Sequence, residues 1–210
     1  MIIYTVNIGG YDSLKHLEGH SGVYVTDGDA PDGWQALKID NVWGLPNVAL
    51  AKLIRIKPEM FLDIPENETV VYFDANLVPK DIKGFAKKHE SDFSVFKHPS
   101  TMSIYRELEL CKKHRREYTN NLALEKQAEY YVNNDCPTMP YTELYTCALI
   151  RRNNLHTRRL CSQWWQDFVK HQSWRDQPSL RYALYLDKQD VNLIPHEEKQ
   201  KYFSSKKHVR

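Results

Sequence analysis

The hydrophobic positions of the chain fall into short apolar runs, each of which stops at a polar or glycine-containing segment. These runs are rich in β-branched and aromatic residues and are too short for typical helices, so they predict strands. The predicted strands cover residues 1–8, 22–26, 69–73, 93–96 and 147–150. The run at 69–73 is too short for a typical buried helix and stops at the polar segment 74–76, so it predicts a central strand.

The segments between these runs carry apolar residues at helical spacing, interleaved with charged residues. The predicted helices cover residues 46–62, 81–89, 103–132, 158–171 and 180–186, and Pro58 is expected to end or kink the first of them. Strands that alternate with helices predict an α/β fold with helices layered against a central sheet.

The length and composition fit one globular domain that spans residues 1–210. Hydrophobic residues make up 41% of the chain and aromatic residues 12%, which excludes a disordered chain. The four cysteines have no CxxC pair and no histidine at zinc spacing, so a structural zinc site is not expected. Because no signal peptide is recognisable and no run approaches the roughly 20 apolar residues that span a bilayer, we expect no membrane span and a cytoplasmic location.

The formal net charge is only +2, yet the basic residues are clustered at 112–116, 151–152, 158–159 and 206–210. Such clusters fit a phosphate-rich partner, although solvated helix faces explain most runs of charge. A nucleic-acid-binding module is therefore an open alternative function. The small net charge argues against nucleic acid as the sole partner of the chain.

Polar side chains that directly follow the predicted strands are the first candidates for a ligand site, because ligands of open α/β sheets bind outside the carboxyl ends of the strands. The residues in these positions are Asn7, Gly9, Tyr11, Asp27, Asp29, Asp74, Asn76 and His98. The glycine pair at 9–10 permits a close approach of backbone to ligand. It matches no dinucleotide-binding or P-loop motif, and a plain tight turn is the alternative.

Asp74 and Asn76 are two residues apart after the central strand, so an extended backbone would place both side chains on one side. Carboxylate and amide oxygens are ligands that Mg²⁺ and Mn²⁺ accept, and these ions also retain water and substrate phosphate. The pair therefore predicts a metal site. A turn or a helix cap is the alternative reading of the same three residues.

The segment at 173–179 brings a cation, a carboxylate and an amide together just before a predicted helix. Asp176 in this segment is a candidate general base that takes a proton from an acceptor hydroxyl. An ion pair between Arg175 and Asp176 near the start of a helix is the structural alternative.

Taken in order, these pieces resemble a family of glycosyltransferases typified by plant turgor-regulation and seed-mucilage proteins, with many bacterial relatives. The resemblance covers nearly the whole chain, and its most specific element is Arg175-Asp176-Gln177. The other matching pieces lie at residues 3–12, 24–27, 51–58, 74–76, 98–99, 104–107, 149–154, 164–165, 191–195 and 208–210.

The resemblance implies a GT-A-type fold with a mixed central sheet and a nucleotide-diphosphate sugar, such as a UDP-sugar, as the donor. It implies that Thr5, Asn7, Gly9, Tyr11, Asp27 and Arg55 bind this donor. It implies that Asp74, Asn76 and His208, with His196 as the alternative to His208, hold Mn²⁺ or Mg²⁺. It implies that Asp176 and Gln177 are catalytic, and that His98, Glu143 and Trp165 meet a glycan or another hydroxyl acceptor.

Two departures from the family bear on these expectations. Asn76 stands at a position where metal-dependent relatives carry a second carboxylate, which makes metal binding weaker and leaves a non-catalytic sugar binder as an alternative. The chain also lacks the anchor and stem of the plant proteins. A bacterial or viral enzyme is therefore expected, and a viral type that glycosylates modified DNA bases is a further alternative.

Overall fold

The computed structural model describes residues 1–12, 21–99, 106, 110, 120–134, 144–188 and 191–205. Its strands are β1 (Ile2–Asn7), β2 (Gly22–Thr26), β3 (Trp34–Lys38), β4 (Thr69–Phe73), β5 (Leu77–Pro79), β6 (Phe93–Lys97), β7 (Leu144–Arg152), β8 (Asn192–Ile194) and β9 (Phe203–Ser205). Its helices are α1 (Asn47–Ile56), α2 (Ile82–Lys88), α3 (Asn121–Asn133), α4 (Leu155–His171), α5 (Asp176–Asp187) and α6 (Lys199–Tyr202).

The main sheet has seven strands in the order β3-β2-β1-β4-β7-β6-β8. All of its neighbouring pairs are parallel except the two that involve β7, which runs antiparallel to β4 and β6. The fold is thus a mixed α/β fold, as predicted, and β4 is the middle strand, as its apolar run indicated. The carboxyl ends of six strands and the start of β7 therefore meet at one edge of the sheet, which we call the active edge.

Helices cover both faces of the sheet. Alternate residues of each strand point to opposite faces and so enter two different cores. One core joins Tyr4 and Tyr72 of the strands to apolar residues of α1, α4 and α5. The core on the other face joins Ile3 and Phe73 to α2 and α6. In this second core, β5 and β9 form a small antiparallel sheet of their own.

Most of the predicted elements are confirmed, with ends shifted by a few residues. The first helix was predicted too long: α1 ends at Ile56, and Pro58 begins a separate 3-10 turn. The prediction of one continuous helix over 103–132 is wrong: α3 begins at Asn121, because the extended residue Asn120 caps it by accepting the N–H of Ala123, and it ends at Asn133.

Two further features concern the cysteines and the membrane. Cys147 and Cys161 are buried free thiols, and burial raises the pKa of Cys147 to about 12. Among the described residues, no helix combines the length and the apolar character that crossing a bilayer requires.

Candidate functional site

The first polar residues at the active edge hold the loop after β1 in place. The hydroxyl of Thr5 is buried and donates to the carbonyl of Phe73 at 2.7 Å, which ties β1 to the central strand. The amide of Asn7 donates to the carbonyl of Asp12 at 2.6 Å and to the hydroxyl of Tyr24 at 2.8 Å. Both side chains, predicted to bind the donor, are therefore engaged in shaping the edge in this structure.

Asp27 follows β2 and organises the glycine pair. Its exposed carboxylate accepts the backbone N–H of Gly9 at 2.9 and 3.0 Å. Gly9 has a φ of 76°, and a Cβ atom there would lie 2.6 Å from the side-chain nitrogen of Asn47 at the start of α1. The turn thus needs glycine at this position. Tyr11, beyond the pair, is 45% exposed.

Asp74 follows the central strand and lies between two polar partners. One carboxylate oxygen, Oδ1, accepts the hydroxyl of Tyr72 at 2.7 Å and lies 3.7 Å from the Nη1 atom of Arg55. Burial, and then the neighbouring carboxylate, raise the pKa of Tyr72 well above its ordinary value, so this hydroxyl stays protonated and donates. The side chain of Asp74 is 34% exposed, so the carboxylate is accessible from the edge.

The prediction that Asp74 and Asn76 share one side of an extended segment is wrong. The strand ends at Phe73, and the backbone then turns, with the N–H of Leu77 donating to the carbonyl of Asp74 at 2.8 Å. The turn was the alternative that the sequence left open. Asn76 is half-buried and lies in this turn, two residues after Asp74. Strand geometry therefore does not place the two side chains on one side.

Asp176 lies in a buried charge cluster beneath Asp74. Its carboxylate contacts the guanidinium of Arg55, and both side chains are 2% exposed. Lys52, one turn earlier on α1, reaches the same carboxylate at 2.9 Å, and the hydroxyl of Thr146 donates to it at 3.1 Å. The indole N–H of Trp164 donates to the backbone carbonyl of Asp176 at 2.9 Å. Arg55 thereby joins the two predicted acidic centres, Asp74 and Asp176.

Sequence reasoning missed the side chains that connect these acidic centres. Lys52 lay in the matched basic segment, and its spacing of three residues from Arg55 was a signal that both face one partner. Tyr72 and Thr146 gave no such signal, because each lies in an apolar strand. Gln177, predicted as catalytic, directly follows Asp176 in the chain and is half-buried. Its buried Oε1 has no hydrogen-bond partner in the described part of the structure.

The predicted acceptor residues are only partly described. His98 follows β6 at the active edge and contacts the ring of Tyr145, with 5.6 Å between the ring centroids. Trp165 packs against the first core and stacks on Phe168 at 5.5 Å. Trp164 is fully buried, as expected for at least one of these adjacent tryptophans. Glu143 lies outside the described residues.

The described part of the chain offers few metal ligands. It contains no group of three or more His, Cys, Asp or Glu side chains that could hold a metal ion. His208, the third predicted ligand, lies outside the described residues. Asp74, Asn76 and His196, the alternative to His208, are therefore the predicted ligands that lie in the described part of the chain.

The basic clusters that are described are used within the fold. Arg151 is buried and donates to the carbonyls at the end of α1. Two further ion pairs join Arg152 to Glu90 at 2.7 Å and Arg159 to Asp187 at 2.5 Å. These arginines give no support to a nucleic-acid surface, and the clusters at 112–116 and 206–210 lie outside the described residues.

Comparison with known proteins places the fold but not the family. No protein-family model and no curated protein sequence matches the chain. Among solved structures, the fold is similar to apo WbbM, a bifunctional glycosyltransferase, with a TM-score of 0.53 and 10% sequence identity. The match covers 93% of this chain and 39% of that protein, so the chain spans well under half of its length. The fold is thus glycosyltransferase-like, and the plant-typified family remains a resemblance.

Proposed function

We propose that this protein is a glycosyltransferase that moves a sugar from a nucleotide-diphosphate donor, such as a UDP-sugar, to a hydroxyl of an acceptor. The observation that carries the proposal is the accessible carboxylate of Asp74 at the end of the central strand, in a glycosyltransferase-like fold. Ligands of open α/β sheets bind at this edge, and of the residues predicted for the donor, Asn7, Gly9, Tyr11 and Asp27 end or follow the strands β1 and β2 there.

The donor side of the proposed site lies at the ends of β1, β2 and β4. The turn at Gly9, held by Asp27, leaves backbone close to the edge, and the exposed ring of Tyr11 can cover a flat base. We propose that Asn7 and Thr5 act here by fixing the loop and the strand, since their polar atoms are already bonded within the protein.

The surroundings of Asp74 fit a divalent cation that arrives with the donor. Tyr72 and Arg55 contact Oδ1, and the side chain is partly exposed, so the carboxylate can reach a cation from the edge. Mg²⁺ and Mn²⁺ take oxygen ligands and usually keep water and substrate phosphate, so Asp74 with Asn76 is a sufficient though weak protein contribution. When bound, such an ion would stabilise the negative charge of a departing diphosphate.

The residues of the buried cluster would support the same chemistry from beneath. Arg55 is a fixed cation beside Asp74, and Asp176 and Thr146 hold it in one geometry. A preorganised positive charge stabilises anionic leaving groups without reorganisation during the reaction. We propose that Asp176 acts by holding Arg55 and Lys52 rather than as a general base, because its carboxylate is 2% exposed and both of its oxygens are paired with these cations.

Calorimetry with UDP and a set of UDP-sugars, in Mn²⁺ and in EDTA, tests the proposal. We expect binding in Mn²⁺ and at least tenfold weaker binding in EDTA or in Asp74→Ala. Asp63→Ala is the matched control, because Asp63 is an exposed carboxylate that precedes β4 and lies away from the active edge. Equal affinity with and without metal would reject the metal contribution, and absence of any nucleotide binding would reject the donor class.

A further inference from the structure

A second group of polar side chains lies at the active edge, on the β7-β6-β8 side. His98 follows β6 and His196 follows β8, and these parallel neighbours pair Phe96 with Ile194, so the two histidines are at the same level. Tyr145 of β7 completes the group, because β7 starts at this edge. The half-buried rings of these three residues and the ammonium of Lys199 form what we call the histidine cluster.

The members of the histidine cluster touch one another through Tyr145. Its ring centroid lies 5.6 Å from that of His98 and 5.7 Å from that of His196. The ammonium nitrogen of Lys199 is 5.0 Å from the same centroid and 3.5 Å from the tyrosine hydroxyl. The cluster thus presents a cation, imidazole nitrogens and a hydroxyl around one aromatic ring.

One buried polar atom of the cluster, Nδ1 of His196, has no hydrogen-bond partner in the described part of the structure. Leaving such an atom unpaired costs about 1–3 kcal/mol, and a bound ion or water is a common explanation. Lys199 contacts the neutral Tyr145 and forms no ion pair with a carboxylate of the described residues; Glu198, which precedes it in the chain, pairs with Lys88 and His89.

The histidine cluster begins with Tyr145 on β7, the strand next to β4, and continues over β6 and the segment after β8. The backbone N–H of Asp74 donates to the carbonyl of Cys147 at 2.8 Å, and Cys147 is two residues from Tyr145 on β7. Lys199 and Asp74 also both influence the thiol of Cys147 electrostatically, with opposite sign. Tyr145 packs against the second core, whereas the carboxylate of Asp74 contacts Tyr72 of the first, so a substrate bound at Asp74 would pass over the active edge to reach the cluster.

We propose that His98, Tyr145, His196 and Lys199 form an anion subsite of the same active site, which receives a phosphate or carboxylate group of a substrate. This inference rests on the proposed function, which supplies the substrate. The attraction of the four side chains for an anion does not depend on that function. Ammonium and imidazole groups donate charge-assisted hydrogen bonds to an anion, and the tyrosine ring offers a face to a sugar. The anion belongs either to an acidic acceptor sugar or to the diphosphate of the donor.

The test uses four probes on the whole chain: glucuronate, glucose 6-phosphate, inorganic pyrophosphate and neutral glucose. We expect the acidic probes to bind, and Lys199→Gln and His196→Gln each to weaken this binding at least fivefold. Lys83→Gln, an exposed lysine on α2, is the matched control and should bind as the wild type does. Thermal unfolding of each variant shows whether it is folded, and His98→Gln provides an additional variant if one is not.

The pattern of loss identifies the source of the anion. Weaker binding of the acidic sugars with unchanged UDP affinity assigns the subsite to an acidic acceptor, and weaker binding of both pyrophosphate and UDP assigns it to the donor. Acidic probes that bind the folded Lys199→Gln and His196→Gln variants as tightly as the wild type would overturn the subsite. If no UDP-sugar binds the wild type but the acidic probes still require Lys199, the proposed function fails while the anion site stands.

Discussion

Tyr72 is the residue that gives the candidate metal ligand a fixed orientation. Its hydroxyl donates to Oδ1 of Asp74 at 2.7 Å, and its ring packs against Tyr4 and lies 5.6 Å from the guanidinium of Arg55. Side chains that orient a metal ligand affect the metal almost as strongly as the ligand itself. A neutral hydroxyl buried in a strand thus carries part of the proposed function.

Removing this hydroxyl gives the first prediction. Tyr72→Phe keeps the ring contacts but frees Oδ1 of Asp74, so we expect the affinity for Mn²⁺ in the presence of UDP to fall by about tenfold. Calorimetric titration of Mn²⁺ measures the change. Tyr202→Phe on the other face of the sheet is the control. Unchanged Mn²⁺ affinity in a folded Tyr72→Phe variant would mean that the hydrogen bond does not orient Asp74.

Asp176 gives the second prediction at this scale. Asp176→Asn leaves the buried guanidinium of Arg55 and the ammonium of Lys52 without their carboxylate, so we expect the free energy of unfolding to fall by about 3–5 kcal/mol. Arg55 also loses the contact that holds it beside Asp74, so we expect transfer to an acceptor to fall by roughly 100-fold. Urea unfolding and single-turnover transfer measure the two effects.

Thr146→Val separates these effects, because it removes one donor to Asp176 and keeps the charge. We expect it to lower stability by about 1 kcal/mol and to leave transfer within a few-fold of the wild-type rate. If a folded Asp176→Asn variant transferred sugar at the wild-type rate, the contact between Asp176 and Arg55 would contribute to stability alone.

At the scale of elements, helix α1 connects the core to the active edge. It carries Lys52 and Arg55 toward Asp176, and its C-terminal carbonyls receive a buried guanidinium from β7. Arg151 donates to the carbonyl of Ile56 at 2.6 Å and to that of Arg55 at 2.9 Å. A cation at a helix C-terminus also interacts favourably with the helix dipole. Arg151 therefore fixes the helix that positions Arg55.

This contact gives the third prediction. Arg151→Met removes the donors and leaves the buried carbonyls of Arg55 and Ile56 with fewer partners, so we expect a loss of about 3 kcal/mol in the free energy of unfolding. Arg152→Met is the matched control on the same strand. Because Arg152 is partly exposed and pairs with Glu90 at the surface, its replacement should cost less than about 1 kcal/mol. Equal losses in the two variants would contradict the capping role of Arg151.

The elements that the sequence predicted are those whose burial pattern is simple. Strands β2 and β4 match the predicted ranges of 22–26 and 69–73, because almost every residue in them is apolar. Strand β3 was missed, since it lies at the edge of the sheet and exposes Gln35 and Lys38. The three-residue strands β5, β8 and β9 are too short to show any periodicity.

The sequence predicted where the candidate site lies but not which of its side chains contact one another. The rule that ligands bind at the carboxyl ends of strands found Asp27, Asp74 and His98. It could not show that Asp176 pairs with Arg55, because this contact joins residues 121 positions apart and depends on how α1 and α5 pack. The turn after β4, in contrast, was within reach of the sequence, because Asp and Asn favour turns and the Leu77 N–H closes it on the carbonyl of Asp74.

At the scale of the whole molecule, the two cores share the strands of one sheet. Ile3 and Tyr4 are neighbours in β1 and enter different cores, as do Val71 and Tyr72 in β4. A strand cannot lose its packing on one face without disturbing the other. The prediction of a single domain over residues 1–210 therefore implies that the two cores unfold together.

The last prediction tests this coupling with one substitution in each core. Phe85 is fully buried on the α2 side and contacts the rings of Phe96 and Phe203, and Leu160 of α4 is fully buried on the other side. We expect Phe85→Ala to lower the free energy of unfolding by about 3–5 kcal/mol and Leu160→Ala by about 2–5 kcal/mol. Each variant should keep a single transition, with tryptophan fluorescence and far-ultraviolet circular dichroism superimposed. A second transition that appears in one variant and leaves the other core at its wild-type midpoint would show that the two faces fold as separate units.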